Sequence, residues 1–108
     1  MNAHDYRLDL TEQKVIQTST VDSSITIPAQ PNAAVNPAAA KLGSWWLITV
    51  TGAVAFLNIG SAASAAANVA LPVGFSGVYW LPPNQAIHAI TASGSGQVSF
   101  TRVLLSYQ

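Results

Sequence analysis

The sequence contains no cysteine, few charged residues and no long hydrophobic run. Without cysteine, neither a disulfide framework nor a thiolate metal site can form. No stretch of eighteen or more apolar residues occurs, so the sequence predicts no transmembrane helix. The first ten residues lack the apolar segment of a signal peptide, and we therefore expect the chain to be made in a cytoplasm without export by the general secretory route.

Charged residues are unusually rare in this chain. Of its 108 residues half are hydrophobic and only 7% are charged, with a formal net charge of zero, whereas ordinary soluble domains carry roughly 25% charged residues. Disordered chains show the opposite balance. Because a free monomer normally keeps a charged surface, this composition predicts one folded domain whose surface is largely covered in an assembly. A monomer with an uncharged Ser/Thr/Asn/Gln surface is the alternative.

Several kinds of chemistry lack the residues they need. No Asp or Glu follows Asp22, so a carboxylate pair for acid–base catalysis would have to come from the first 22 residues. A Ser-His-Asp set would need His88 to meet one of those same acids, and we interpret His88 as structural. Two histidines, His4 and His88, do not complete a three-ligand metal site. Four basic residues do not make a nucleic-acid surface. We expect no enzyme, no cofactor or metal, and no nucleic-acid or membrane partner.

Residues 1–22 differ in composition from the rest of the chain. They hold all four acidic residues and two of the four basic ones. Their alternating polar and apolar residues favour an extended segment. We expect an N-terminal arm that packs on a neighbouring subunit, so that a chain starting near Ser23 folds but associates less. A first strand preceded by a frayed tail is the alternative. The residues expected to contact the neighbour are Tyr6, Leu8, Leu10, Val15 and Ile16.

Residues 23–108 read as a succession of short strands separated by turn residues, with a Pro/Ala/Asn-rich connection at 28–43. Residues 45–60 predict a hairpin that turns at Thr51-Gly52 and is apolar on both faces, and Ser93–Gly96 predicts another hairpin turn. The count of seven or eight strands indicates an all-β fold, a small antiparallel β-sandwich or barrel with the N-terminal arm. The predicted core residues are Trp46, Ile48, Val50, Val54, Phe56, Trp80, Ile90, Val98 and Phe100.

One family resemblance covers about half of the chain. It lies in Asn58-Ile-Gly60, in Leu71-Pro-Val-Gly74, in the strand from Pro83 through Ile87 to Ile90, and in Ser93-Gly-Ser-Gly96 followed by Val98 and Val103. With these motifs the chain resembles the small all-β virion proteins of tailed bacteriophages. They are turn and strand motifs without a catalytic residue, so the resemblance implies no active site.

The resemblance implies a non-enzymatic structural protein of a virion, made in the host bacterial cytoplasm. Its first expected role is a capsid decoration (cement) subunit, whose partners are other copies of itself and phage structural proteins, the major capsid protein first among them. A neck, tail or baseplate subunit is the alternative within this class. From a different class, a carbohydrate-binding module is possible, because Trp45, Trp46, Tyr79 and Trp80 could line a sugar platform.

Overall fold

The computed structural model describes residues 6–28, 43–65 and 68–105 of the chain, with side chains between residues 12 and 103. Most of the predicted connection at 28–43 therefore lies outside the described residues. Within the described ranges no helix is long and apolar enough to span a bilayer. The strands are β1 (Tyr6–Thr18), β2 (Ser23–Thr26), β3 (Ser44–Thr51), β4 (Ala55–Ile59), β5 (Ala70–Leu71), β6 (Ser76–Leu81), β7 (Ala86–Ile90) and β8 (Gly96–Leu105).

The strands form two four-stranded sheets. The first sheet has the order β1-β8-β3-β6 and the second has the order β2-β7-β4-β5. Every paired strand is antiparallel to its neighbour. This interleaved order, in which the chain alternates between two packed sheets, is the jelly-roll arrangement of eight strands. The predicted small antiparallel all-β fold is confirmed, and of the two predicted architectures the chain adopts the sandwich.

Both predicted hairpins are wrong in the same way. β3 lies in the first sheet and β4 in the second, so the turn after Thr51 carries the chain from one sheet to the other. The loop at Ser93–Gly96 likewise joins β7 of the second sheet to β8 of the first. The two crossings touch, since a Cβ at Gly52 would lie 2.8 Å from the Cα of Gly96. Gly52 has a φ of +84°, a conformation that glycine adopts without strain.

The core lies between the sheets and follows the alternation of β3 and β8. Every second residue of β3 points inward, and its predicted core residues Trp46, Ile48 and Val50 are 0–4% exposed. The predicted core residues of β8, Val98 and Phe100, are fully buried opposite Val50 and Ile48. From the second sheet the buried hydrophobic side chains are Ile27, Ala55, Ile87 and Ala89.

Four predicted core residues lie elsewhere. Val54 is 40% exposed because it belongs to the crossing between the sheets, and the inward set of β4 begins one residue later, at Ala55. That shift places Phe56 on the outer face of the second sheet. Its cross-strand partner Ile90, also predicted in the core, lies on the same outer face, and both are half-buried. Trp80 is 50% exposed, since its neighbour Leu81 points inward instead. Inward and outward residues do alternate in these strands as predicted, but the residues that face the core are the neighbours of the predicted ones.

The expected N-terminal arm is a strand of this chain's own first sheet. β1 pairs with β8 from Tyr6–Leu105 to Thr18–Gly96, with an irregularity between Asp9 and Gln13. Ile16 is 2% exposed in the core, while Val15 is 37% exposed on the outer face. The side chains of Tyr6, Leu8 and Leu10 lie outside the described part. The expected arm of residues 1–22 is therefore corrected for residues 6–18, which form a first strand paired within the chain, whereas residues 1–5 lie outside the described residues.

A buried arginine connects β1 to the core. Arg102 is 2% exposed and its guanidinium lies 4.7 Å from the centroid of the Trp46 ring, a cation–π contact. Its Nη2 is 3.4 Å from the carboxylate of Glu12, which the irregularity in β1 brings to this position. The indole Nε1–H of Trp46 donates a 2.8 Å hydrogen bond to Ser44 Oγ. The cation–π contact of Arg102 and the hydrogen bond to Ser44 thus both centre on Trp46.

Replacing Trp46 with alanine should strongly destabilise the fold. Truncation of a large buried aromatic side chain costs about 3–5 kcal/mol, much of the roughly 5–15 kcal/mol that a small domain has. Trp45→Ala, one residue away but 41% exposed, is the matched control and should change stability far less. Urea unfolding followed by circular dichroism measures both. Equal losses in the two variants would contradict the assigned phase of β3.

Deleting residues 1–22 should prevent folding, the opposite of what the arm hypothesis expects. The deletion removes β1, leaves β8 without one of its two partners and takes Ile16 out of the core. Circular dichroism of the shortened chain is the measurement. Ile16→Ala should lower the melting temperature clearly, whereas its exposed neighbour Val15→Ala should not. A shortened chain that folds with full stability would mean that β1 is dispensable to the sandwich.

Candidate functional site

Two tryptophans lie side by side on the outer face of the first sheet. Trp45 of β3 and Trp80 of β6 are direct cross-strand partners, 41% and 50% exposed. Both point outward because their neighbours in the chain, Trp46 and Leu81, point into the core. Trp80 also packs closely on the backbone at Gly43, where an added Cβ would overlap its ring. The close approach therefore requires glycine at position 43 and holds the Trp80 ring against the sheet.

The rest of this outer face is neutral. Leu47 and Val78 are the next cross-strand pair, both half-buried, and Thr49 and Ser76 follow them. β3 and β6 contain no charged residue, and the one charged residue of β8, Arg102, points inward. Across β3, β6 and β8 the outer face of the sheet therefore carries no charge. We call these residues the tryptophan face: Trp45, Leu47, Thr49, Ser76, Val78 and Trp80.

The tryptophan face can form contacts but supplies no reactive group. Exposed tryptophan side chains are the residues that contribute most to the energy of protein interfaces, and they also stack on the apolar faces of sugars. Apart from the two indole N–H groups, its polar atoms are the hydroxyls of Thr49 and Ser76. An adjacent pair of aromatic rings with few polar anchors favours a broad apolar partner over a small polar ligand.

A second cluster lies on the outer face of the other sheet. His88 Nδ1 of β7 is 2.7 Å from a carboxylate oxygen of Asp22, whose other oxygen accepts a 3.0 Å hydrogen bond from the backbone N–H of Ala63. Asn58, the cross-strand partner of His88, donates from Nδ2 to Ser61 Oγ at 2.9 Å. Together these contacts attach residues 61–63 to the second sheet.

The charge of Asp22 is stabilised by its partners. Burial opposes its ionisation, but the hydrogen bonds from His88 and from the Ala63 N–H, with the charge of His88, outweigh burial and lower the pKa of this carboxyl. The side chains of His88 and Asp22 remain 19% and 29% exposed. The carboxylate therefore stays ionised and holds the loop across the neutral pH range.

The pairing of His88 with Asp22 is the arrangement that a Ser-His-Asp set would need. Among the described residues, however, no hydroxyl hydrogen-bonds to His88 Nε2, and its cross-strand neighbours are Ser24 and Asn58. A nucleophilic set requires that third contact. The geometry therefore supports the structural interpretation of His88, as the anchor of residues 61–63. Sequence reasoning missed Asp22 as the partner because 66 residues separate the two and Asp22 had been assigned to the arm.

A cavity and the distribution of metal-ligating side chains bear on ligand binding. A cavity of about 320 Å³ opens between the sheets, and Asn58 is the polar residue among the hydrophobic side chains that line it. No group of three or more metal-ligating side chains occurs in residues 6–28, 43–65 and 68–105. Comparison with family models, with characterised proteins and with solved structures gave no match for this chain.

The stability of the protein should fall in acid through Asp22. Because its pKa is lower in the folded than in the unfolded chain, the carboxylate contributes stability that is fully present above the unfolded value, about 3.9, and is lost as pH falls through the folded value. Melting temperatures between pH 3 and 7 measure this. Asp22→Asn should melt lower at pH 6 and lose less on acidification.

The variant His88→Gln tests whether His88 anchors residues 61–63 or has a catalytic role. It should fold and keep the assembly behaviour of the parent protein, but it should lose less stability on acidification, and that loss should be complete at a higher pH, because without the histidine the folded pKa of Asp22 lies closer to the unfolded value. An unchanged acid profile in both Asp22→Asn and His88→Gln would contradict the assigned pair. A large loss of assembly in His88→Gln would contradict its structural role.

Proposed function

We propose that this protein is a non-enzymatic structural subunit of a bacteriophage virion, and that it binds the assembled capsid as a decoration, or cement, subunit. The single observation that carries the proposal is the tryptophan face, an uncharged surface with two half-exposed indole rings at one end and an apolar pair beside them. The partner would be the major capsid protein, together with other copies of the chain.

An uncharged apolar face of this kind suits a protein that works in an assembly. Contiguous exposed apolar patches are rare on monomers and mark sites of protein interaction. Here the patch lies on a regular sheet with Trp45 and Trp80 as cross-strand partners, so its shape is set before binding. A pre-formed surface loses little conformational freedom on docking. Low overall charge, which poorly suits a free monomer, is compatible with a subunit whose faces are occupied.

The phage assignment draws on the motif resemblance, and the jelly roll is compatible with it because capsid proteins commonly use this fold. Lectins use it as well, so the fold does not select the function. As a cement subunit the protein would act by mass action. A subunit that binds the assembled shell and not its dissociated parts stabilises the shell in proportion to affinity and concentration. A neck, tail or baseplate subunit would use the same face on a different partner.

Carbohydrate binding is the second candidate function, favoured by one specific observation. Trp45 and Trp80 are adjacent and exposed on the flat outer face of a sheet, where aromatic rings can stack on sugar rings. The neighbouring pair Leu47 and Val78 is apolar, however, and sugar sites add several polar groups around their aromatic residues. The surroundings of the tryptophans therefore favour a protein partner.

Replacing either exposed tryptophan with threonine should weaken particle binding while the fold remains. Trp80→Thr and Trp45→Thr should each reduce co-sedimentation with purified virions of the encoding phage by more than about tenfold, as truncation of central interface aromatics does. Val69→Thr is the control, since Val69 is 81% exposed in the loop before β5 and away from the tryptophan face. Circular dichroism confirms folding of each variant.

The same variants distinguish the two candidates. If the parent protein does not sediment with virions but binds a soluble polysaccharide, and Trp80→Thr abolishes that binding, the carbohydrate function replaces the proposed one. If Val69→Thr and Trp80→Thr bind virions equally well, the tryptophan face is not the docking surface. Absence of the protein from purified virions would remove the virion proposal itself.

A further inference from the structure

The two edges of the first sheet are protected very differently. β1, at one edge, carries Arg7, Asp9, Glu12 and Lys14 among its thirteen residues. β6, at the other edge, has the sequence Ser-Gly-Val-Tyr-Trp-Leu and carries no charge. Edge strands offer unpaired backbone groups, and soluble proteins block them with charged residues, proline or a covering segment. β1 has such protection in its sequence and β6 has none.

The unprotected edge is also exposed. In the sheet order β6 is terminal, and no strand among the described residues pairs with its outer side. Tyr79 and Trp80, on opposite faces of β6, are 48% and 50% exposed, and the Tyr79 ring stacks on Phe75 at 6.0 Å between centroids. A regular, neutral, aromatic edge is the kind of strand that pairs with another strand.

We propose that β6 pairs antiparallel with β6 of a second copy of this chain, around a two-fold axis at Val78. The pairing would join two first sheets into one continuous eight-stranded sheet. In this register Trp80 of each copy faces Ser76 of the other, and Tyr79 faces Gly77. On the outer face each Trp80 is therefore opposite a small side chain, and this directly opposed pair can fit. On the other face the Tyr79 ring already lies over Gly77 of its own strand.

The absence of charge on β6 and the geometry of a two-fold axis favour a second copy of this chain as the strand that pairs with β6. A two-fold interface brings each residue near its own counterpart, so a charged edge would place like charges together. β6 is uncharged and meets no such repulsion, whereas self-pairing of β1 would bring charged side chains together. The outer and inner faces of the two sheets also continue across the junction, because directly opposed residues of antiparallel strands lie on the same face. The tryptophan faces of both copies then lie on one side of the joined sheet.

This inference specifies how copies of the chain, which the proposed function names among its partners, meet each other, but it does not rest on virion binding. The dimer would form in solution without any particle, whichever partner the tryptophan face binds. Failure of the dimer would leave virion binding untouched. Failure of virion binding would likewise leave the dimer in place.

The absence of cysteine from the chain allows a direct test. Val78→Cys places one thiol from each copy at the proposed axis, where Cα atoms of directly opposed residues lie about 4.5–5.5 Å apart, within the range of about 4.4–6.8 Å that a disulfide requires. Val15→Cys is the matched control, because Val15 is also an outward valine on an edge strand of the same sheet. On mild oxidation we expect a disulfide-linked dimer as the major product from Val78→Cys and a minor one from Val15→Cys.

Charge reversal provides a second test. Val78→Lys and Val78→Glu should each sediment as monomers in analytical ultracentrifugation, whereas an equimolar mixture should recover the dimer because opposite charges then meet at the axis. Val15→Lys should sediment as the parent protein does. Circular dichroism checks that each variant folds, and Ser76→Lys, at an exposed position of the same strand, replaces Val78→Lys if that variant does not.

Three results would overturn the proposal. The first is a monomeric parent protein at all accessible concentrations. The second is equal cross-linking of Val78→Cys and Val15→Cys, and the third is a dimer that Val78→Lys leaves intact.

Discussion

The architecture depends on the place where the chain crosses twice between its sheets. The crossings after β3 and before β8 touch at Gly52 and Gly96, and a Cβ at Gly96 would overlap the carbonyl oxygen of Thr51. This contact lets β8 lie beside β3 in one sheet while β7 lies beside β4 in the other. Each strand then has one face toward the core, which decides the position of every tryptophan. Backbones can approach this closely only where side chains are absent.

A single buried cation connects the edge of the first sheet to its centre. Arginine in a core is tolerated when its charge is paired and its planar group finds a suitable surface. Arg102 finds both, in the ring of Trp46 and the carboxylate of Glu12. The charges of β1 therefore have two roles. They protect an edge strand, and one of them neutralises the guanidinium beneath it. Two acidic residues of the N-terminal segment, Glu12 and Asp22, thus have partners within the chain, Arg102 and His88.

Local pattern predicted the strands well and their partners poorly. Alternation identified the inward residues of β3 and β8 because those strands are regular and half-buried. It failed at β4, since the turn at Thr51-Gly52 suits a hairpin and a crossing equally, and the crossing shifted the phase so that Val54 turned outward. The exposed face of Trp80 and the partner of His88 both depend on contacts distant in sequence. No signal within β6 or β7 reveals which strand will lie beside it.

The position of β8 has a consequence for how the protein is made. β8 is the eighth strand in sequence, yet it lies between β1 and β3 and completes the first sheet. During synthesis β1 has no partner until β8 has left the ribosome. The first sheet therefore cannot join β1 to β3 and β6 before β8 is made. Pairing over such distances is slow, and β3 and β6, unlike β1, carry no charged residue. β3 and β6 can pair with each other before then, but the edge of β3 that β8 will cover exposes unpaired backbone groups and can associate with other chains.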